Sequence, residues 1–187
     1  MDKIIAESIN NHKEALILLE DNLPVIKEIC DIFENSLNRG GKIIFMGNGG
    51  SAADAQHLAA ELVGRFKKDR KALPALALSV NTSILTAVGN DYGFEQIFSR
   101  QIESLALPED VVVAISTSGN SPNILKGVET AKKKKIKTVG FSGKDGGKLA
   151  ECVDTCLNIS SYDTPRVQEI HILAGHLICE VIEKRLT

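Results

Sequence analysis

His57 and Glu61 stand four residues apart, a spacing that sets an imidazole and a carboxylate on one face of a helix, within reach of a single atom. Such a pair can move a proton between substrate atoms, or it can be an ordinary surface hydrogen bond. The surrounding residues favour the first use. Ala52, Ala53, Ala55, Leu58, Ala59, Ala60 and Leu62 make the rest of that helix small or apolar, and polar groups set in such a background are seldom decoration.

A second polar set lies toward the C-terminus, where Tyr162, Asp163, Thr164, Pro165, Arg166, Gln168 and Glu169 precede His171 and His176. Thr164 is expected to cap a helix with Pro165 in its first turn. Of Gln168, His171 and His176, the last has the apolar neighbours Ala174, Leu177 and Ile178, which predicts that His176 is the buried one. A buried imidazole needs a partner.

Two turns have the composition of anion sites. Gly47-Asn48-Gly49-Gly50-Ser51 follows an apolar run, with Ser51 placed to cap a helix from Ala52; its glycines allow close backbone approach, and free amides at a helix start attract anions. The turn lacks the third glycine of a dinucleotide fingerprint and the Gly-Lys-Ser/Thr ending of a nucleotide-binding loop, which disfavours a nucleotide-dependent oxidoreductase. Ser116-Thr117-Ser118-Gly119-Asn120-Ser121 then precedes Pro122, a first-turn helix proline. Four hydroxyls exceed what one cap requires, and hydroxyls beside unpaired amides suit a phosphate dianion held without a metal.

The elements that must position these groups follow from periodicity. Apolar runs at 42–46, 75–78, 111–115, 136–141 and, more weakly, 155–159 predict strands. Helical patterns fall at 51–66, 94–105, 121–134, 148–151 and 165–186, after two amphipathic helices at 4–23 and 24–37 that end at Asn38-Arg39-Gly40-Gly41. Strand and helix alternate, which predicts a three-layer α/β sandwich with a five-stranded parallel sheet covered on both faces. Ligands of such folds bind beyond the carboxyl ends of the strands, where both turns leave the sheet.

Composition bounds the rest. The 187 residues fit one domain, with 43% apolar residues, 4% aromatic residues and no Trp predicting an aliphatic core. A net charge of -2 gives no field for nucleic acid, and the run Lys132 to Lys135 reads as the cationic end of a helix. Cys30, Cys152, Cys156 and Cys179 show no metal-site spacing and no signal segment opens the chain, so reduced thiols in the cytoplasm are expected. No run approaches the roughly 18 apolar residues of a membrane span.

Taken together, these stretches resemble the sugar isomerase (SIS) domain and, within it, the bacterial phosphoheptose isomerases. The resemblance runs nearly end to end through the two leading helices, Gly47 to Ser51, His57 with Glu61, Gly89-Asn90-Asp91-Tyr92-Gly93, Ser116 to Ser121, Gly143-Lys144-Asp145-Gly146-Gly147, and Arg166-Val167-Gln168-Glu169 with His171 and His176. It implies a flavodoxin-like sheet in a single domain, 1–187, and an aldose–ketose isomerase. The reaction would take sedoheptulose 7-phosphate to D-glycero-D-manno-heptose 7-phosphate through an enediolate, the first step toward ADP- or GDP-heptose. Substrate would be bound by Asn48, Gly49, Gly50, Ser51, Glu61, Asn90, Asp91, Ser116, Thr117, Ser118, Ser121 and Gln168. One zinc per subunit would be held by His57, Glu61, Gln168 and His176, with Glu61 and His176 as base and acid. The residue before Arg166 is Pro165, a departure from the family pattern, so no acid or base role attaches there.

Gln168 and His176 are eight residues apart, about 12 Å along a straight helix, so one metal atom is not easily reached by both from one chain. A homo-oligomer that shares its sites between subunits is therefore expected, a tetramer on the family pattern, with helices 1–38 and outward apolar residues such as Phe33 in the interface. The rival reading is a sugar-phosphate sensor without catalysis, which needs the phosphate turn but neither Glu61 nor His176.

Overall fold

The computed structural model describes residues 1–186. Helices α1 (Asp2–Glu20) and α2 (Leu23–Asn38) lead into the sheet. The glycine pair ends α2 as expected: Gly40 takes φ +82°, and the Gly41 N–H donates back to the Ser36 carbonyl at 2.9 Å. The chain continues through β1 (Ile43–Gly47), α3 (Gly50–Val63), β2 (Ala75–Ala77), α4 (Thr82–Tyr92), a single 3-10 turn (Phe94–Gln96) and α5 (Ser99–Leu105). It closes with β3 (Val111–Ser116), α6 (Pro122–Lys133), β4 (Lys137–Gly143), α7 (Gly147–Cys152), β5 (Thr155–Ile159) and α8 (Thr164–Leu186).

The five strands are all parallel in the order β2-β1-β3-β4-β5, the flavodoxin-like arrangement, which puts the switch in strand direction of travel between β1 and β3. Alternation along the strands builds two cores. Ile43, Phe45, Val111, Val113, Val139 and Leu157 face α1, α2, α3 and α8, while Ile44, Met46, Val112 and Ala114 face α5, α6 and α7. Among the described residues, no helix is long and apolar enough to cross a membrane.

Several local expectations are corrected. Phe33 does not point outward: it is 2% exposed and packs edge-on to Phe45 in the core, because the apolar stripe of α2 covers the sheet. Ser51 does not cap α3, which starts one residue earlier behind Gly49 at φ +54°, leaving Ser51 buried in the first turn. Thr164 is the first residue of α8, whose opening bond runs from the Val167 N–H to the Asp163 carbonyl. The pattern at 94–105 divides into the 3-10 turn and α5, and α4 was not predicted at all. The lysine run behaves as expected: Lys132 and Lys133 lie in the last turn of α6, and Lys134 donates to the Ile102 and Glu103 carbonyls.

Candidate active site

Helices α3 and α8 both start at the carboxyl edge of the sheet and run side by side in the same direction. At their beginnings the Gln168 amide lies over Gly50, where a Cβ would come within 2.5 Å of Nε2. Two turns further on, Gly175 lets the helices close, since a Cβ there would strike the Leu58 side chain. This approach brings His176 to His57.

The His57 Nε2 is 3.0 Å from Glu61 Oε1 and 3.2 Å from His176 Nε2, with the two rings edge-on at 4.9 Å between centroids. One ligand atom from each of the three residues falls within 4.8 Å of the others. Zinc bound at about 2.0–2.1 Å in a tetrahedron separates neighbouring ligand atoms by about 3.3 Å, so two imidazoles and a carboxylate at this spacing fit such an ion with a position left open. The His57 side chain is 46% exposed and that of Glu61 23%, so a substrate can reach both. Burial lowers the His176 pKa, the His57 ring lowers it further and Glu61 opposes the change; the neutral imidazole that a base or a metal ligand needs is favoured.

On the same edge, the turn after β3 gathers hydroxyls. Ser116 Oγ is 3.1 Å from Ser121 Oγ and 3.4 Å from Ser118 Oγ, with Gly119 at φ +63° making the reversal. Ser121 occupies the N-cap position of α6 but its hydroxyl makes no capping bond, so it turns to the cluster instead. Asn48 after β1 and Asn123 at the start of α6 exchange reciprocal amide bonds of 2.8 Å, which tie the two turns across the switch point.

This fold and these sites have counterparts. A model of the SIS domain matches residues 7–143. A phosphoheptose isomerase from Rhodospirillum rubrum is 53% identical over 92% of this chain and 92% of its own, and one from Geotalea uraniireducens is 53% identical over 100% and 98%. The structure of a phosphoheptose isomerase from Neisseria gonorrhoeae superposes with a TM-score of 0.93 at 38% identity, covering 98% of each chain. The chain belongs to the SIS-domain family, among the phosphoheptose isomerases. It is an isomerase that acts on a phosphosugar.

Within the SIS fold, the residues singled out from the sequence divide into groups. His57, Glu61 and His176 meet; Asn48 adjoins the turn that carries Ser116, Ser118 and Ser121. Asn90 and Asp91 pair with each other at 2.7 Å on the exposed end of α4, just before Phe94 and Glu95, which line a cavity of about 260 Å³ with Asn48, Ser121, Pro122 and Asn123. Gln168 stays at Gly50, seven residues before His57 and so about 10 Å up the helix from the cluster. The expected burial of His176 is reversed: His171 is fully buried and bonded to the Ser142 carbonyl, while His176 is half-buried at the helix seam.

Asp54 escaped the sequence reading, although it lies three residues before His57 and therefore on the same stripe of α3. Its Oδ2 is buried without a hydrogen-bond partner among the described residues, and burial pushes its carboxyl up to about 6 against the pull of His57. A raised carboxyl favours the folded state only while protonated, so metal-free protein loses stability as pH rises from about 4 through about 6. Asp54→Asn is expected to remove that loss, stabilising the chelated protein at pH 7.5 by on the order of 1 kcal/mol after solvent screening, with no gain at pH 4. Urea midpoints at the two pH values check this.

Proposed function

We propose that the chain interconverts an aldose and a ketose phosphate, taking sedoheptulose 7-phosphate to D-glycero-D-manno-heptose 7-phosphate in the cytoplasm, as the first step toward nucleotide-activated heptose. The observation that carries this reading is the meeting of His57, Glu61 and His176 on the two helices that begin beside the hydroxyl turn. Isomerisation requires a proton to leave the carbon beside the carbonyl and to return to its neighbour, passing through an enediolate. Glu61 is the group that takes and returns it, and His176 gives and receives the proton on the oxygens.

The phosphate is anchored by Ser116, Thr117, Ser118 and Ser121, with Asn48, Gly49, Gly50 and Ser51 closing the other side and Asn90, Asp91 and Gln168 contacting sugar hydroxyls. The two-turn descent from Gly50 to His57, about 10 Å, is the reach of an extended seven-carbon chain. His57, Glu61 and His176 are the residues that would hold zinc. Bound there, the ion supplies Lewis acidity toward the substrate's oxygens. Gln168, the fourth ligand on the family pattern, lies too far up its own helix, which favours a site completed by a neighbouring subunit.

The apolar surface supports that assembly: Ile4, Ile5, Ile9 and Ile17 of α1 are all more than half exposed, at 70%, 53%, 52% and 59%. A homotetramer with these helices in its interfaces follows, and a fully active monomer in sedimentation would overturn it. The function itself is tested by incubating the purified protein with sedoheptulose 7-phosphate and following the aldose product by NMR. Conversion that falls on chelation and returns with zinc is expected. Binding of the sugar phosphate with no conversion in the zinc-loaded protein would favour the sensor reading.

A further inference from the structure

His171 is the one imidazole among the described residues with no exposure at all, and it takes no part in the chemistry above. Its Nε2 is 3.0 Å from the Ser142 carbonyl. A carbonyl can only accept, so the ring proton is on Nε2 and Nδ1 is left as a buried acceptor without a partner among the described residues. A leucine of similar bulk would avoid that cost, so what the imidazole contributes is its donor. Burial pushes its pKa down to about 4 against the pull of the Ser142 bond, which keeps the ring neutral at ordinary pH.

The bond matters because of what Ser142 supports. Ser142 pairs in register with Ser116, and its Oγ donates to the Gly146 carbonyl at 2.8 Å while lying 3.4 Å from the Ser116 carbonyl. The turn from Gly143 to Gly147 is seated along the back of the hydroxyl turn. A Cβ on Gly119 would collide with the Gly146 carbonyl, one on Gly143 would come within 2.7 Å of the Thr117 carbonyl, and one on Gly147 within 2.7 Å of the Ser118 carbonyl. Two backbone amides complete the seam, Leu149 donating to the Gly119 carbonyl at 2.9 Å and Lys148 to Asn120 Oδ1 at 3.2 Å. The Gly143-Lys144-Asp145-Gly146-Gly147 stretch, which binds nothing in the mechanism, is thereby given a task.

We propose that His171 is a positioning residue for phosphate binding: through Ser142 it braces the 143–147 turn against the hydroxyl turn, fixing Ser116, Ser118 and Ser121 where their hydroxyls converge. The proposal rests on the reading that this turn takes the substrate's phosphate. It is tested on the zinc-loaded protein with His171→Leu, His171→Gln and Ser142→Ala, measuring kcat and KM for sedoheptulose 7-phosphate and the inhibition constant of inorganic phosphate. His171→Leu is expected to raise KM and the phosphate constant about tenfold with kcat within about twofold; the glutamine amide, which can still donate to Ser142, restores both to within about threefold. A folded His171→Leu protein with unchanged phosphate affinity, or one that loses kcat alone, overturns the proposal. Should that variant fail to fold, Ser142→Ala decides, since it removes only the hydroxyl: a several-fold weaker phosphate constant is expected and an unchanged one refutes the brace. Ser118→Ala separates the two layers. If it weakens phosphate while the His171 and Ser142 variants do not, the brace alone is wrong; if none of them does, the phosphate assignment of the turn has failed with it.

Discussion

A Glu61→Gln protein is expected to bind sugar phosphate as tightly as the parent and to turn it over roughly 10² to 10⁴ times more slowly. The amide keeps the length of the side chain and can still accept from His57 across the present 3.0 Å contact, so the helix seam has no cause to rearrange. What disappears is the only carboxylate of the three-residue cluster, the group able to lift a proton from carbon and put it back. Exchange of the substrate's C1 and C2 hydrogens with deuterated solvent should slow in step with turnover. Because a carboxamide is a weaker metal ligand, zinc content must be measured on the same sample. Turnover within tenfold of the parent, with metal bound, would remove Glu61 from the proton path.

Glu183→Ala is expected to lower Tm by roughly 6–20 °C, from a cost of about 3–5 kcal/mol for breaking a buried ion pair at roughly 2–4 °C per kcal/mol. Glu183 and Arg70 are each 2% exposed and lie 3.2 Å apart, and the Glu183 carboxylate also accepts from the amides of Phe66, Lys67 and Lys68. Burial alone would raise the Glu183 pKa, but those amides and Arg70 outweigh it, so the net shift is downward. The stabilisation is therefore complete above the ordinary carboxylate range and fades as pH falls through the lowered value, and the gap between parent and variant should narrow on acidification. A Tm within about 2 °C of the parent's at pH 7 would show that Arg70 is compensated by other groups. Activity should suffer as well. Arg70 donates to the Glu61 carbonyl at 2.9 Å, and the anchored Phe66 ring lies 5.5 Å from that of His176, so the same clamp touches both residues of the proposed proton path.

The sheet was legible because β1 and β3 carry almost unbroken apolar runs between turn residues, with the interrupted runs of β4 and β5 weaker signals of the same kind, and the parallel sense followed from the helices between them. The pairing of His57 with Glu61 was legible from spacing alone, since four residues fix the face of a helix whatever it packs against. Helix α4 was not, because its apolar stripe is short: Leu85 and Val88 pack against the second core only partly buried, and Gly89-Asn90 follow at once; the Asn81 cap, which accepts from the Ile84 N–H, was a further local signal. The exchange of roles between His171 and His176 comes from counting sequence neighbours instead of helix faces. Ile170, Ala174 and Ile178 lie on the buried face of α8 and His171 shares it at helical spacing, whereas His176, two residues from Ala174 and from Ile178, falls on a different side of the helix. Ser51 misled because glycines at 49 and 50 can enter a helix without a side-chain cap, and Phe33 because an amphipathic stripe does not say which surface it will meet.

The cradle between the two turns is made of serine hydroxyls, backbone amides at the start of α6 and the carboxamides of Asn48 and Asn123, none of which ionises. A phosphate dianion seated there, as proposed, would be met by dipoles alone. Dissolved salt screens attraction between full charges far more than it weakens short contacts to fixed dipoles, so affinity at such a cradle would change little with ionic strength, and saturation by a sugar phosphate would be insulated from swings in the salt content of the surroundings.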